Sequence, residues 1–301
     1  MLYVIIIVVA VIVSESAYPC QLLQQADELY ARRASRFDTE RVLADSTLAD
    51  SCIALYRSAL DQCHCERRPE IYCKLLQAYF FRGFYATVDK DRQKKVFEQA
   101  VEVGLRAMDE FPDSPGVNVW MATTWGLWAE SHGSMSAATK GVADKIRRCC
   151  EHALEHDSTF CDAGALRILG GVNFKAPKIP LLLGWPSKKK AETCLTRALE
   201  LAPNNLFNRR LMAEILYARK KRDRAREMMA SIVTTDGIVH GLVEDTQIKK
   251  RAAEILAEWD AKDGPKGSFD PGHDLAGNPG GTGAGTASAL RTRPHSVTSG
   301  R

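Results

Sequence analysis

The residues best suited to chemistry are the cysteines. Nine occur in the 301-residue chain, and Cys63-His64-Cys65 with Cys73 would bring four soft ligands to one helix–helix turn. Zinc sites usually separate paired cysteines by two to four residues, so a C-x-C spacing departs from the metal pattern. Structural readings compete with it. Free thiols pack as small hydrophobes, and in an exported chain a disulfide becomes available, for instance between the 63–65 turn and Cys73. Cys52 and Cys150 fall on packing positions, and the adjacent Cys149 and Cys150 point in two directions from one helix, which opposes joint chelation. Structural thiols are the expectation, with no metal site and no cofactor.

No G-x-S-x-G elbow, P-loop, H-E-x-x-H or kinase signature is present. Acidic residues fall on helix exteriors instead of converging on an apolar pocket, so the chain reads as a non-enzyme. His132, in the polar run SHGSMSAATK, reads as a solvated side chain. Residues 206–226 hold eight Lys/Arg against Glu214 and Asp223. Only Phe207 and Tyr217 interleave with them, which suits a solvated helix face rather than a nucleic-acid surface. A formal net charge of +4 on this length gives no further argument for nucleic acid.

The elements that would position these residues are helices in a repeat. The run AETCLTRALELAP places Ala191, Leu195, Ala198 and Pro203 at offsets 0, 4, 7 and 12. This is the second-helix pattern of a tetratricopeptide repeat: small residues admit close helix approach, a larger one fills the groove, and proline ends the helix. Ala100, Gly104, Ala107 and Pro112 repeat it, and three partial copies begin at Cys52, Ile146 and Ala225. The competing reading is an irregular helical domain in which Ala merely marks packed faces. Regular spacing over five copies, without period-2 runs of Val, Ile and Thr, favours the repeat. The expected fold is all-α, a tetratricopeptide-like α-solenoid of about five helix pairs with a closing helix near Glu244–Trp259.

Copies begin 48, 46, 45 and 34 residues apart, whereas a standard repeat takes about 34. First helices over Pro69–Tyr85, Pro115–Glu130 and Ser158–Asn173 would put the surplus into the turns Ala86–Arg92, Ser131–Lys140 and Phe174–Ser187. Those turns emerge on one rim, where long loops are usually functional or disordered. The third reads NFKAPKIPLLLGWP: Leu181 to Leu183 and Trp185 are apolar, and Pro177, Pro180 and Pro186 prevent a helix. Such a loop either folds over a hydrophobic channel, meets a partner, or plugs the end of the core. Trp120 and Trp128, eight residues apart, lie near one face of the preceding helix; a stripe of this kind serves either as core or as a ligand cage.

Both ends differ from the middle. Leu2 to Val13 form an apolar run of 12, shorter than the roughly 20 residues of a bilayer span and within the range of a secretory h-region. Residues 1–19 read as an export segment, and Cys20 as a candidate lipidation site. Residues 264–301 hold nine Gly and four Pro with few bulky apolar residues, so 263–301 reads as a disordered tail. That leaves 20–262 as the helical domain.

The run from Gly116 to Asp260 resembles the T-component (TatT) family of tripartite ATP-independent periplasmic (TRAP) transporters. The likeness rests on WGLWAESHG, KIRRCCEHALEHD, GALRILGGVNFKAP, the LLLG loop, AETCLTRALELAP and EDTQIKKRAAEILAE in that order. It implies an exported periplasmic helical-repeat adaptor, either free or anchored through a lipid on Cys20. The implied partners are the transporter's solute-binding protein, an apolar small molecule and further copies of the chain, with no nucleic acid. Trp120, Trp128, Phe174, Leu182 and Trp185 would then line an apolar channel. The regulator-of-microtubule-dynamics family shows a similar layout, and with it a general scaffold for peptides or proteins is the alternative.

Overall fold

Side-chain caps divide the chain into helices. Asp45, Asp89, Ser114, Ser187 and Asn205 each accept a hydrogen bond from a backbone N–H in the first turn of the helix they cap, which stabilises each helix start by about 1 kcal/mol. Pro115 occupies the first turn of its helix, where no N–H is needed. The computed structural model describes residues 21–177 and 183–263. The export segment, Cys20, Leu182 and residues 264–301 of the tail lie outside the described residues.

Twelve helices succeed one another among the described residues: α1 (21–31), α2 (Ser46–Gln62), α3 (Arg68–Phe84), α4 (Lys90–Glu110), α5 (Pro115–His132) and α6 (Ser134–Thr139). Then come α7 (Val142–His156), α8 (Phe160–Lys175), α9 (Lys188–Leu201), α10 (Leu206–Ala218), α11 (Arg222–Val233) and α12 (Leu242–Asp263). No strand longer than an isolated bridge occurs among these residues. Contacts divide the chain into the units Met1–Trp259 and Asp260–Arg301.

Within the first unit, neighbouring helices pack in sequence, α2 on α3, α3 on α4, α4 on α5, α5 on α7, α7 on α8 and onward to α10 on α11. The pairs are α1/α2, α3/α4, α5/α7, α8/α9 and α10/α11, with α12 closing the array. The repeat positions explain the packing. Cys52, Tyr56 and Ala59 on α2 are buried, as are Ala100, Gly104 and Ala107 on α4, and Ile146, Cys150 and Ala153 on α7. Ala191, Leu195 and Ala198 on α9, and Ala225, Met229 and Ile232 on α11, are wholly enclosed. Each fully buried Leu or Ile stabilises the fold by roughly 1.5–3 kcal/mol.

The surplus length is distributed differently from the spacing argument. Asp89 caps an α4 that starts at Lys90, so the first turn shrinks to 85–89 and α4 extends to 21 residues. The second enlarged loop contains α6, and the third runs from Ala176 to Ser187. A further long segment, 32–45, joins α1 to α2. It carries Arg33, whose Nη2 lies 2.7 Å from Glu244 Oε1 on α12, while Ala44 N–H donates to Tyr85 O at 2.8 Å. Ala44, Phe81, Tyr85 and Val243 share one apolar cluster. The beginning and end of the array are thereby joined.

A candidate ligand cavity at the loop rim

The helix α5 presents two unlike faces. Trp125 and Trp128 pack inward with Met121, Ile146 and Cys150, while Ala122, Gly126 and Ala129, at offsets 0, 4 and 7, border open space. Helix α8 answers with Ile168, Gly171, Val172 and Lys175 at offsets 0, 3, 4 and 7. Ala137 and Ala138 of α6, Val142, Ala143 and Ile146 of α7, and Leu183 complete the wall. The cavity has a volume of about 510 Å³, within the usual size of small-molecule sites, and it opens to solvent. Glu130 and Lys175 are the charged side chains among the described lining residues.

Of the residues singled out from the sequence, Trp120, Trp128, Phe174 and Trp185 are not among the residues lining this cavity. Trp120 is half-buried, its ring 6.1 Å from that of Phe80. Trp128 is buried and stacks on His132, with centroids 4.0 Å apart and planes 14° apart, and Lys140 Nζ lies 4.8 Å from its ring centre. Trp185 donates Nε1–H to Asp144 Oδ1 at 3.0 Å, and the Arg147 guanidinium sits 4.9 Å above its ring. Phe174 packs into the α8–α12 core. Trp128 and Trp185 thus act as a frame: one holds the far end of α6 through Lys140, and the other ties the returning 183–187 segment to α7. Sequence reasoning missed the wall itself, whose Ala and Gly residues carry the same helical spacing as ordinary packing positions.

His132 differs from its expected solvated state. It ends α5, bonds Trp128 O through Nδ1 at 2.9 Å and reaches Glu98 through Nε2 at 3.0 Å. The basic run is largely engaged within the fold. Arg210 pairs with Glu214, Lys221 with Glu192, and Arg209 with Ser231, while Arg222 and Arg226 lie over Tyr217.

The cysteine expectation needs a correction. A disulfide joins Cys63 to Cys65, and Cys73 is free. Cys73 sits one turn into α3 and faces α5, where its Sγ would lie 2.9 Å from a Cβ placed on Gly116, so it cannot also serve the 63–65 turn. Burial pushes its thiol up to about 12, and those of Cys52, Cys149 and Cys161 to about 11. Such thiols stay protonated near neutral pH and are poor nucleophiles and poor metal ligands.

No family model and no curated protein sequence matches the chain. Among solved structures it is similar to a thermophilic TPR protein of Thermus thermophilus, with a TM-score of 0.53 and 17% identity over 79% of this chain and 99% of that one. The fold is tetratricopeptide-like. The likeness extends over almost the whole of the neighbour.

Proposed function

We propose that the protein is a non-catalytic helical-repeat binding scaffold whose rim cavity takes an apolar ligand. The observation that carries this reading is the 510 Å³ space between α5, α6, α7 and α8, walled by Ala, Gly, Val, Ile and Leu. An apolar chain entering it removes apolar surface from water on both sides, and Lys175 offers an ammonium to a terminal carboxylate. The resemblance to TRAP transporter T-components gives this reading a setting: an exported adaptor, free in the periplasm or lipid-anchored at Cys20, that works with a solute-binding protein.

Titration calorimetry with octanoate and decanoate tests the cavity. The wild type binds one molecule per chain, and Gly126→Leu, whose side chain would project into the space, does not. Wild-type protein that ignores apolar acids of every length would sink the cavity reading. Affinity purification from periplasm tests the setting separately. It should recover an extracytoplasmic solute-binding protein, and recovery of none at low salt removes the transporter link. A general protein-binding scaffold predicts a partner whose binding survives Gly126→Leu.

A further inference from the structure

The last turn of α7 meets the α4–α5 turn in a second cluster, away from the rim cavity. His152 and His156, four residues apart, share one face of α7, and that face looks towards Asp113. One donor atom from each of the three residues lies within 4.8 Å of the other two. His152 Nε2 stands 3.2 Å from Asp113 Oδ1. Two donors bound to one tetrahedral zinc are about 3.3 Å apart, given metal–ligand bonds of roughly 2.0–2.2 Å. That pair is therefore already at a shared-metal spacing, and rotation of the His156 ring, its centroid 4.9 Å from that of His152, completes the set. We propose that Asp113, His152 and His156 form a binding site for a divalent transition metal of the zinc type.

Three further observations support the assignment. Ser114, not Asp113, caps α5, so the Asp113 carboxylate has no helix-capping role to explain its position. His156, one turn from His152 on the same helix face, brings a second imidazole to the same point. Glu155 Oε2 lies 3.7 Å from His152 Nδ1, the ring nitrogen left over when Nε2 binds metal, and a small side-chain shift brings it to the hydrogen-bond distance of an orienting carboxylate. Two imidazoles and one carboxylate suit zinc, nickel or copper better than magnesium or calcium.

Three protein ligands leave a coordination position open. Asp113 and His152 also border a groove of about 490 Å³ between α4, α5 and α7, from which water can complete the shell. Cys149 lines the same groove but is not among the residues whose donor atoms converge, so the donor set is nitrogen and oxygen. A bound ion would clip the α4–α5 turn to the end of α7 and raise the melting temperature by mass action.

The test uses the full chain, stripped with chelator and titrated with Zn²⁺ and separately with Co²⁺. The expected result is one equivalent bound, a rise in melting temperature, and a Co²⁺ spectrum free of thiolate charge-transfer bands. His152→Ala and His156→Ala should each weaken Zn²⁺ binding by at least the roughly 10–100-fold that loss of an outer-shell partner costs, and Asp113→Asn should weaken it less. Helical circular dichroism of the variants shows that they fold. Unchanged Zn²⁺ affinity in the His152→Ala/His156→Ala double variant, a thiolate band with Co²⁺, or no binding by the wild type would each overturn the assignment.

Discussion

The two flanks of α8 are packed in opposite ways with the same kind of residue. Towards α9 the helices close up: a Cβ added to Gly170 would lie 1.9 Å from Leu195 Cδ2 and 3.4 Å from Ala191 O. Towards α5 they meet at the start of α8, where a Cβ on Gly164 would lie 3.0 Å from Val119 Cγ1, but further along they part, and Gly171 and Val172 border the 510 Å³ cavity. Gly126 on the facing helix α5 would add its Cβ to open space, with nothing within 4 Å. Small residues thus bring two helices together on one flank and leave a hollow on the other. What decides between them is whether a large side chain such as Leu195 is present to fill the space that the small ones leave.

The largest effect should come from the closed flank. Gly170→Ala forces Leu195, which is fully buried, out of its place. Overpacking of this kind costs about 1–3 kcal/mol, against which alanine's better helix propensity returns at most about 1 kcal/mol. Chemical denaturation should show a lower midpoint at unchanged slope. A midpoint equal to wild type would mean that the α8–α9 contact is as loose as the cavity side, and the contrast between the flanks would disappear.

Thiol chemistry gives a second view of the same flank. Cys194 is on α9 beside Gly170, and Cys150 reaches towards it from α7. Burial raises the Cys150 thiol well above its ordinary value of 9.0 and raises that of Cys194 as well. Both should react slowly with Ellman's reagent in the native protein at pH 8. Gly170→Ala should speed them while leaving the distant, buried Cys52 slow. The sign for stability comes from linkage. Folded thiols hold their protons to higher pH than unfolded ones, so their contribution is complete below about pH 9 and is lost as pH rises towards the folded values of about 11–12 at Cys52, Cys149, Cys161 and Cys73. Stability that stayed level from pH 9 to pH 11 would contradict this burial.

This contrast marks what could be read from the sequence. The offsets 0, 4 and 7 found the inward face of every second helix, because close helix approach restricts which residues fit there. The first-helix starts read at Pro69, Pro115 and Ser158 fall within two residues of the helices, which begin at Arg68, Pro115 and Phe160. The 32–45 segment was illegible, because surplus length is measured between repeat copies and no copy precedes Cys52. The cavity wall was illegible for another reason: Ala122, Gly126 and Ala129 share the pattern of residues in tight contact, while the more conspicuous Trp128 and Trp185 became its frame. The Asp113–His152–His156 cluster needs a turn and a helix 39 residues apart to meet, which no local pattern records.

The smallest expected effect is also the cleanest comparison. Gly126→Ala is chemically the same change as Gly170→Ala, made in the middle of a helix that faces the other way. If the flank is open, the new methyl meets nothing, and the gain is the helix propensity of alanine over glycine, up to about 1 kcal/mol. The unfolded chain also loses conformational freedom, which acts in the same direction. Gly126→Ala should therefore raise the denaturation midpoint slightly, while Gly170→Ala lowers it. Destabilisation by Gly126→Ala would show that α5 and α8 close up in solution, and the cavity would then have no room for the apolar ligand that Gly126→Leu is designed to exclude.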